Sequence, residues 1–184
     1  MDAEILLWIQ ENIRNDVLTP VMKWITSLGN KGIVWIIIGM IFLCIPKFRK
    51  AGTGIALALL GSLLLNNLFL KNAVGRIRPY EVIDGLELLV HKAVDASFPS
   101  GHSACSFASA TVIFLLLPKK YGIPALILAA LISFSRLYVG IHYPTDVLFG
   151  ILDGICLGVG AVFLLKKFGN KLPWLREEEA TQED

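Results

Sequence analysis

The sequence predicts an all-α protein: an integral-membrane helical bundle of five spans, preceded by an amphipathic amino-terminal helical segment that lies in the membrane interface. Of the 184 residues, 55% are hydrophobic and only 17% are charged, whereas soluble domains contain about 45–50% apolar and about 25% charged residues. The apolar residues form long runs without the alternation of membrane barrel strands. Helices are expected in these runs, because backbone polar groups in lipid must pair within their own segment. The net charge of +2 argues against nucleic-acid binding.

The predicted transmembrane domain covers residues 30–168 and contains five apolar runs. Two of them are long enough to cross about 30 Å of hydrocarbon at about 1.5 Å per residue, and the others must borrow residues from their flanks. A polar, acidic, cytoplasmic tail follows at residues 169–184. In chain order, the runs are Gly32–Ile45, Ala51–Leu70, Ser103–Leu117, Ile123–Phe134 and Val147–Leu165.

Residues 1–29 mix apolar and charged side chains, and are too polar to span a membrane freely. They are predicted to form two amphipathic interfacial helices, broken near Thr19-Pro20. Trp8 and Trp24 suit the headgroup level. Two interpretations remain open: a plain anchor, or a lip that guides a lipid headgroup into a site.

Basic residues near the span ends predict the orientation. With five spans of alternating direction, eight basic residues at the span ends all fall on one face of the membrane. This face is therefore predicted to be cytoplasmic. The long loop 71–101 and the short link 135–145 then lie on the extracytoplasmic face. The basic residues are Lys47, Arg49, Lys50, Lys119, Lys120, Lys166, Lys167 and Lys171.

Three polar segments fall on that second face, because successive spans alternate in direction. They are 71–79, 98–102 and 135–146. They supply three cations, Lys71, Arg78 and Arg136, which suit phosphate oxygens. The alternative for each cation taken singly is anchoring to lipid headgroups.

The segment Pro99-Ser100-Gly101-His102 predicts a helix start. Serine is a good N-cap, glycine lets a ligand approach the backbone, and the open N–H groups favour an anion. Capping alone accounts for Ser100. It does not account for His102 at the same helix end.

His142 and Asp146 are four residues apart, with Pro144 suited to the first turn of a helix between them. A carboxylate on one imidazole nitrogen fixes the tautomer and strengthens the other nitrogen as a nucleophile. The alternative for an isolated pair is a structural hydrogen bond. A metal site built from His102, His142 and Asp146 is disfavoured, because three neighbouring cations would repel a divalent ion. The same cations would neutralise the phosphoryl oxygens in place of a metal. No metal and no cofactor are therefore predicted.

Together these segments resemble the type 2 phosphatidic acid phosphatase superfamily of integral-membrane lipid phosphatases. Its first motif, K-x6-R-P, is found from Lys71 to Arg78-Pro79, and its second, P-S-G-H, ends at His102. Its third, S-R-x5-H-x3-D, runs from Ser135-Arg136 to Asp146. All three are present in order.

The resemblance implies that His142 is the nucleophile and forms a phosphohistidine, with Asp146 orienting it. It implies that His102 is the general acid, which later helps to activate water. The implied phosphate-binding residues are Lys71, Arg78, Ser100, Gly101 and Arg136, without a metal.

The expected activity is hydrolysis of a lipid phosphate or diphosphate at the outer leaflet of the cell membrane. An isoprenyl diphosphate such as undecaprenyl diphosphate is preferred, with phosphatidylglycerophosphate and phosphatidate as alternatives. Vanadium haloperoxidases share the site but not the apolar spans, and a lipid or ion transporter is a further alternative. The expected partners are the lipid substrate and the bilayer, with no nucleic acid, and monomer and homodimer remain open.

Two features of the apolar runs stand apart from these motifs. Gly150, Gly154 and Gly158 repeat every four residues, which predicts close helix packing inside the chain, with homodimerisation as the alternative. Asp153 lies deep in the fifth run, where an acid should be paired, and Asn66 and Asn67 are candidate partners.

Overall fold

The computed structural model describes residues 1–171, and the regular structure within that range is entirely helical. Most of the predicted tail 169–184 lies outside the described residues. A π-helix, Leu63–Leu70, continues α4 into α5, and short 3-10 turns occur at Asn30–Gly32, Pro46–Phe48 and Gly169–Lys171. The α-helices in chain order are α1 (Asp2–Asn12), α2 (Leu18–Leu28), α3 (Ile33–Cys44), α4 (Arg49–Ser62), α5 (Lys71–Val74), α6 (Pro79–Val82), α7 (Gly101–Leu116), α8 (Lys119–Tyr138) and α9 (Pro144–Phe168).

Several of these helices are long and apolar enough to cross a membrane. Three stretches meet the requirement outright: Pro46–Val82, Lys119–Tyr138 and Pro144–Phe168. A fourth is the pair Leu18–Leu28 and Asn30–Cys44, which is bent by 47°. The protein is therefore a multi-pass membrane protein, and most of its large exposed apolar side chains lie on these candidate spans.

Helix α7 is the centre of the bundle and packs against α4, α8 and α9. Its contact with α9 is close because glycines of α9 meet α7 backbone. A Cβ at Gly150 would lie 2.6 Å from the Ser100 carbonyl oxygen, and one at Gly154 would lie 2.5 Å from that of Ala104. Gly158 meets Ala108 in the same way. The packing of this stripe inside the chain is therefore confirmed.

The amino-terminal segment forms two helices, as expected, but the break lies elsewhere. It falls between Asn12 and Leu18, and Pro20 lies in the first turn of α2, where the missing proline N–H leaves no helical bond unmade. Asn15 makes the break, since its Oδ1 accepts from the N–H groups of Val17 and Leu18 at 3.1 and 2.8 Å. Helix α1 packs on α8 and α9, and α2 on α8.

Candidate active site

His142 lies in the turn between α8 and α9, and only 2% of its surface is exposed. Pro144 opens α9, and this places Asp146 in the first helical turn, where its Oδ2 accepts from the Tyr143 N–H at 3.1 Å. The same oxygen lies 3.4 Å from His142 Nδ1. The predicted contact between the pair is confirmed. Burial lowers the pKa of His142 to about 3 against the opposing effect of Asp146, so the imidazole is neutral at neutral pH.

Asp146 has two further partners that the sequence did not single out. The Ser97 hydroxyl donates to Oδ2 at 2.6 Å, and Arg76 Nη1 donates to Oδ1 at 2.6 Å. Arg76 also stacks on the Tyr143 ring, 3.8 Å from its centroid, and donates to Asp2 at 3.0 Å. The available signal was position, because Arg76 lies within the first motif and Ser97 lies two residues before the second.

The other face of His142 contacts Arg78, one of the three predicted cations. Arg78 Nη1 donates to His142 Nε2 at 3.0 Å and to the Ile141 carbonyl at 3.0 Å. Because Arg78 can only donate, Nε2 acts as the acceptor and Nδ1 is left to carry the proton towards Asp146. Arg78 therefore favours the tautomer of His142 in which the unprotonated nitrogen, Nε2, lies on the side of Arg78.

Asp95 was not predicted, and its carboxylate lies between two of the cations. It accepts from Lys71 Nζ and, at 2.7 Å, from Arg78 Nη2. Burial would raise the pKa of Asp95, but Lys71 and Arg78 outweigh it and hold that pKa below its usual value. An anionic group of the chain itself, the Asp95 carboxylate, thus lies between two of the three predicted cations.

The third predicted cation, Arg136, is 6% exposed and lies at the end of α8. Its Nη1 donates to Thr26 Oγ1 at 2.6 Å. Its buried Nε has no hydrogen-bond partner among residues 1–171. A phosphoryl oxygen in the neighbouring cavity is a suitable acceptor for such a donor.

His102 lies in the first turn of α7, beside the turn that joins α2 to α3. Its Nε2 lies 3.1 Å from the Oδ1 of Asn30. Since an amide oxygen only accepts, Nε2 carries the proton and Nδ1 remains available on the ring. Asn30 was not recognised in the sequence, because its turn lies 72 residues away from His102.

Ser100 caps α7 as predicted, with its Oγ accepting from the Ser103 N–H at 3.4 Å. The same hydroxyl also pairs with Ser103 Oγ at 2.9 Å and is fully buried. Gly101 borders the cavity described next. The capping role of Ser100 is confirmed, and its predicted role in phosphate binding stays a prediction.

A cavity of about 550 Å³ brings these groups together. At its polar end are Lys71, Arg78, Arg136, His102 and His142. Its apolar side is formed by side chains of α3, α4 and the π-helix, namely Ile36, Leu59, Leu60 and Leu63. The cavity therefore offers an anion site and an apolar wall to one ligand.

The π-helix joins α4 to α5 beside this cavity. Asn66 points away from the cavity and donates to Asp153 at 2.7 Å, which confirms one of the two predicted partners. Asn67 and Lys71 border the cavity. A π-turn adds a residue to the helical turn and so changes which side chains share a face.

Among residues 1–171, no group of three or more His, Cys, Asp or Glu side chains is arranged as a metal site requires.

An apolar helical bundle with cations and two imidazoles around one anion cavity defines a membrane enzyme of phosphoryl transfer. Comparison with known proteins identifies the family: residues 51–170 match the PAP2 superfamily. The chain belongs to this superfamily, whose enzymes hydrolyse phosphate esters, and it is a membrane lipid phosphatase.

Two curated relatives illustrate the similarity. An undecaprenyl-diphosphatase of Sulfolobus acidocaldarius is 32% identical over 137 residues, which cover 74% of this chain and 66% of that protein. Phosphatidylglycerophosphatase B of Bacillus subtilis is 33% identical over 177 residues, covering 90% of this chain and 82% of that protein.

Two solved structures share the fold. Aquifex aeolicus LpxE superimposes with a TM-score of 0.79 at 26% identity, covering 88% of this chain and 94% of that one. The phosphatidylglycerolphosphate phosphatase of Bacillus subtilis gives a TM-score of 0.69 at 33% identity, covering 93% of this chain and 85% of that one.

Proposed function

We propose that this chain hydrolyses an isoprenyl diphosphate such as undecaprenyl diphosphate, through a phosphohistidine on His142. One observation carries the mechanism: Nε2 of a buried, neutral His142 faces Arg78 and the cavity, while Nδ1 faces Asp146. Nε2 is thus the unprotonated nitrogen beside the cavity, and its electron pair, which accepts from Arg78, attacks phosphorus once Arg78 turns to the phosphoryl oxygens. The arrangement favours attack on phosphorus.

In the first step, the Nε2 electron pair forms a bond to the terminal phosphorus, and the bond from that phosphorus to the bridging oxygen breaks. His102 gives a proton to this leaving oxygen, which remains on the lipid monophosphate. Since Nε2 of His102 donates to Asn30, the proton that is delivered must first be taken up on Nδ1, and His102 enters this step as the imidazolium. The negative charge of the bound substrate beside the ring favours that uptake. Arg78, Arg136 and Lys71 neutralise the charge that spreads over the phosphoryl oxygens.

In the second step, the oxygen of a water molecule bonds to the phosphorus, and the bond from phosphorus to Nε2 of His142 breaks. The water gives one proton to Nδ1 of His102, and inorganic phosphate leaves. Gly101 adds a backbone N–H at the start of α7, where anions are favoured. The cations do the neutralising work in this scheme without a metal. EDTA is therefore expected to leave the activity unchanged.

The substrate tail lies in the bilayer against the apolar side of the cavity. A diphosphate is favoured as substrate because its second phosphate can also meet a cation, and Lys31 borders the cavity as a further one. The similarity to a Bacillus phosphatidylglycerophosphatase over 90% of the chain makes phosphatidylglycerophosphate the second candidate.

The membrane arrangement that fits this function has five spans in residues 30–168, formed by α3, α4 with the π-helix, α7, α8 and α9. The active-site loop 71–101 lies on the extracytoplasmic face of the cell membrane, and residues 1–29 lie in the interface. Val94 in that loop is fully exposed. In a cysteine-free background, a cysteine at Val94 should be labelled from outside intact cells and one at Lys120 should be protected; the reverse result would invert the topology.

The activity is tested with purified protein in detergent, by phosphate release from undecaprenyl diphosphate, phosphatidylglycerophosphate and phosphatidate. The expected result is release from the diphosphate at the highest kcat/KM, with no release by His142→Ala. Activity that survives in His142→Ala and disappears with EDTA would overturn the mechanism. Lipid flux in vesicles without phosphate release would favour a transporter instead.

A further inference from the structure

Residues 1–32 precede the region that matches the PAP2 superfamily, which begins at residue 51. Three polar side chains of this segment nevertheless reach the active site. They come from three different places along it: Asp2 at the start of α1, Thr26 near the end of α2, and Asn30 in the turn before α3.

Thr26 holds Arg136. Thr26 is 3% exposed, and its Oγ1 accepts from Arg136 Nη1 at 2.6 Å. This is the only hydrogen bond that the guanidinium makes to a side chain within residues 1–171. Because Arg136 has several rotatable bonds, a buried acceptor at one end of its fork determines where the other donors point.

Asn30 holds His102 in the same manner. Its Oδ1 accepts from His102 Nε2 at 3.1 Å. The turn packs closely against the imidazole, since a Cβ at Gly29 would lie only 2.6 Å from His102 Cδ2. Lys31 takes a left-handed φ of 52° there, a conformation that is unfavourable for a non-glycine residue. The hydrogen bond and the packing together orient the ring.

Asp2 is linked to Asp146 through the side chain of Arg76. Its Oδ2 accepts from Arg76 Nη2 at 3.0 Å and from the Thr145 hydroxyl at 2.6 Å. Arg76 in turn donates to Asp146 at 2.6 Å. The start of the chain thus joins the network behind His142.

The segment is docked by contacts that do not involve these three side chains. Arg14 donates to the Tyr138 carbonyl at 2.9 Å and to the Glu87 carbonyl at 2.9 Å. The Tyr138 hydroxyl meets Thr19 Oγ1 at 2.9 Å and accepts from the Asn15 N–H at 3.2 Å. Substitution of Thr26 or Asn30 should therefore leave α1 and α2 in place.

We infer that residues 1–32 are a positioning element of the active site, with Thr26 fixing Arg136 and Asn30 fixing His102. This inference rests on the proposed function, because it assigns Arg136 to phosphate binding and His102 to proton transfer. It gives the segment a part in turnover in addition to membrane contact. Thr26 and Asn30 are positioning residues, since each acts through another side chain.

Thr26 is tested by Thr26→Val, which keeps the shape and removes the acceptor, with Thr26→Ser as the conservative variant. Thr26→Val should raise the KM for undecaprenyl diphosphate and the Ki for inorganic phosphate about tenfold, the size expected for one hydrogen bond to a charged group. The kcat should change less than about twofold. Thr26→Ser should restore both constants.

Its matched control is Ser27→Ala. Ser27 is exposed, and its hydroxyl donates to the Trp24 carbonyl within the same helix. Ser27→Ala should leave KM and Ki unchanged. Equal constants for Thr26→Val and Ser27→Ala would overturn the assignment of Thr26.

Asn30 is tested by the dependence on the leaving group. Asn30→Ala should lower turnover of the lipid diphosphate about 10- to 100-fold, while turnover of p-nitrophenyl phosphate changes little, because p-nitrophenolate leaves without a proton. Asn30→Asp keeps an acceptor for His102 and should recover most of the loss. Asn12→Ala is the control, because Asn12 donates only to the Trp8 carbonyl of its own helix.

A loss that is equal for both substrates would contradict a positioning role for Asn30, since general misfolding lowers both alike. Wild-type behaviour of Thr26→Val and Asn30→Ala would overturn the inference altogether. In that case an inactive His142→Ala would still support the proposed function. An active His142→Ala would overturn the proposed function itself.

Discussion

The two sides of His142 are built in opposite ways. Behind it, both oxygens of the buried Asp146 carboxylate are engaged, by Ser97, Arg76 and the Tyr143 N–H. In front of it, the cations border an open cavity, and a half-exposed carboxylate, Asp95, lies between Lys71 and Arg78. We call the Asp146 side the rear network and the cavity side the front. In the rear network the Asp146 carboxylate has its hydrogen bonds within the chain, whereas the front presents cations to a cavity that an anion can enter.

This difference indicates how the site divides its work. A complete buried network holds one geometry, because every displacement costs a hydrogen bond. Cations beside a cavity gain most of their interaction energy when a charged ligand arrives. Changes behind His142 should therefore lower kcat, and changes in front should act mainly on KM.

The largest effect is expected at His142 itself. His142→Ala removes the atom that bonds to phosphorus, so phosphate release should fall by roughly 10⁴-fold or more. Initial rates with purified, correctly folded protein measure it. Activity within tenfold of the wild type would exclude His142 as the nucleophile.

The next largest effect should come from the rear network. Asp146→Asn keeps the shape but can present an amide N–H to Nδ1 and so favour the wrong tautomer, which should lower kcat about 10³-fold with little change in KM. A substitution in this network that changed KM alone would contradict the division between rear and front.

Arg76→Gln should have a smaller effect with a distinctive pH dependence. Asp146 raises the pKa of His142, and Arg76 forms an ion pair with that carboxylate. Without Arg76, the pKa of His142 should rise from about 3, and the acid limb of the kcat/KM profile should move to higher pH. An unchanged or lower acid limb would show that Arg76 has no electrostatic effect on His142.

The smallest effect is expected in front, at Asp95. Asp95→Asn removes the charge that competes with substrate for Lys71 and Arg78, so KM and the Ki for inorganic phosphate should fall by about three- to tenfold. The kcat should not change. Glu81→Gln, an exposed carboxylate on α6, is the matched control, and a KM for Asp95→Asn equal to that control would remove Asp95 from the anion site.

The helical class and most of the catalytic set could be predicted from sequence for two physical reasons. Lipid forces backbone bonds into helices, and alternating spans place Lys71, His102 and His142 at one end. The contact between His142 and Asp146 follows from local geometry, because Pro144 fixes the first turn of α9.

The missed partners all depend on contacts between distant parts of the chain. Asn30 meets His102 across 72 residues, Thr26 meets Arg136 across 110, and Arg76 meets Asp146 across 70. No periodicity in a single helix specifies such contacts. The misplaced break near Thr19-Pro20 has a local cause, since proline was taken to end a helix when here it begins one.

The most direct test of this account is to find the phosphoryl group on the enzyme. Wild-type protein mixed with undecaprenyl diphosphate is quenched in base, which preserves phosphohistidine, and its peptides are sequenced by mass spectrometry. We expect phosphate on His142 of the wild-type enzyme within one turnover, and no phosphorylated histidine in His142→Ala. Turnover without phosphate on any histidine, or with phosphate on His102, would contradict it.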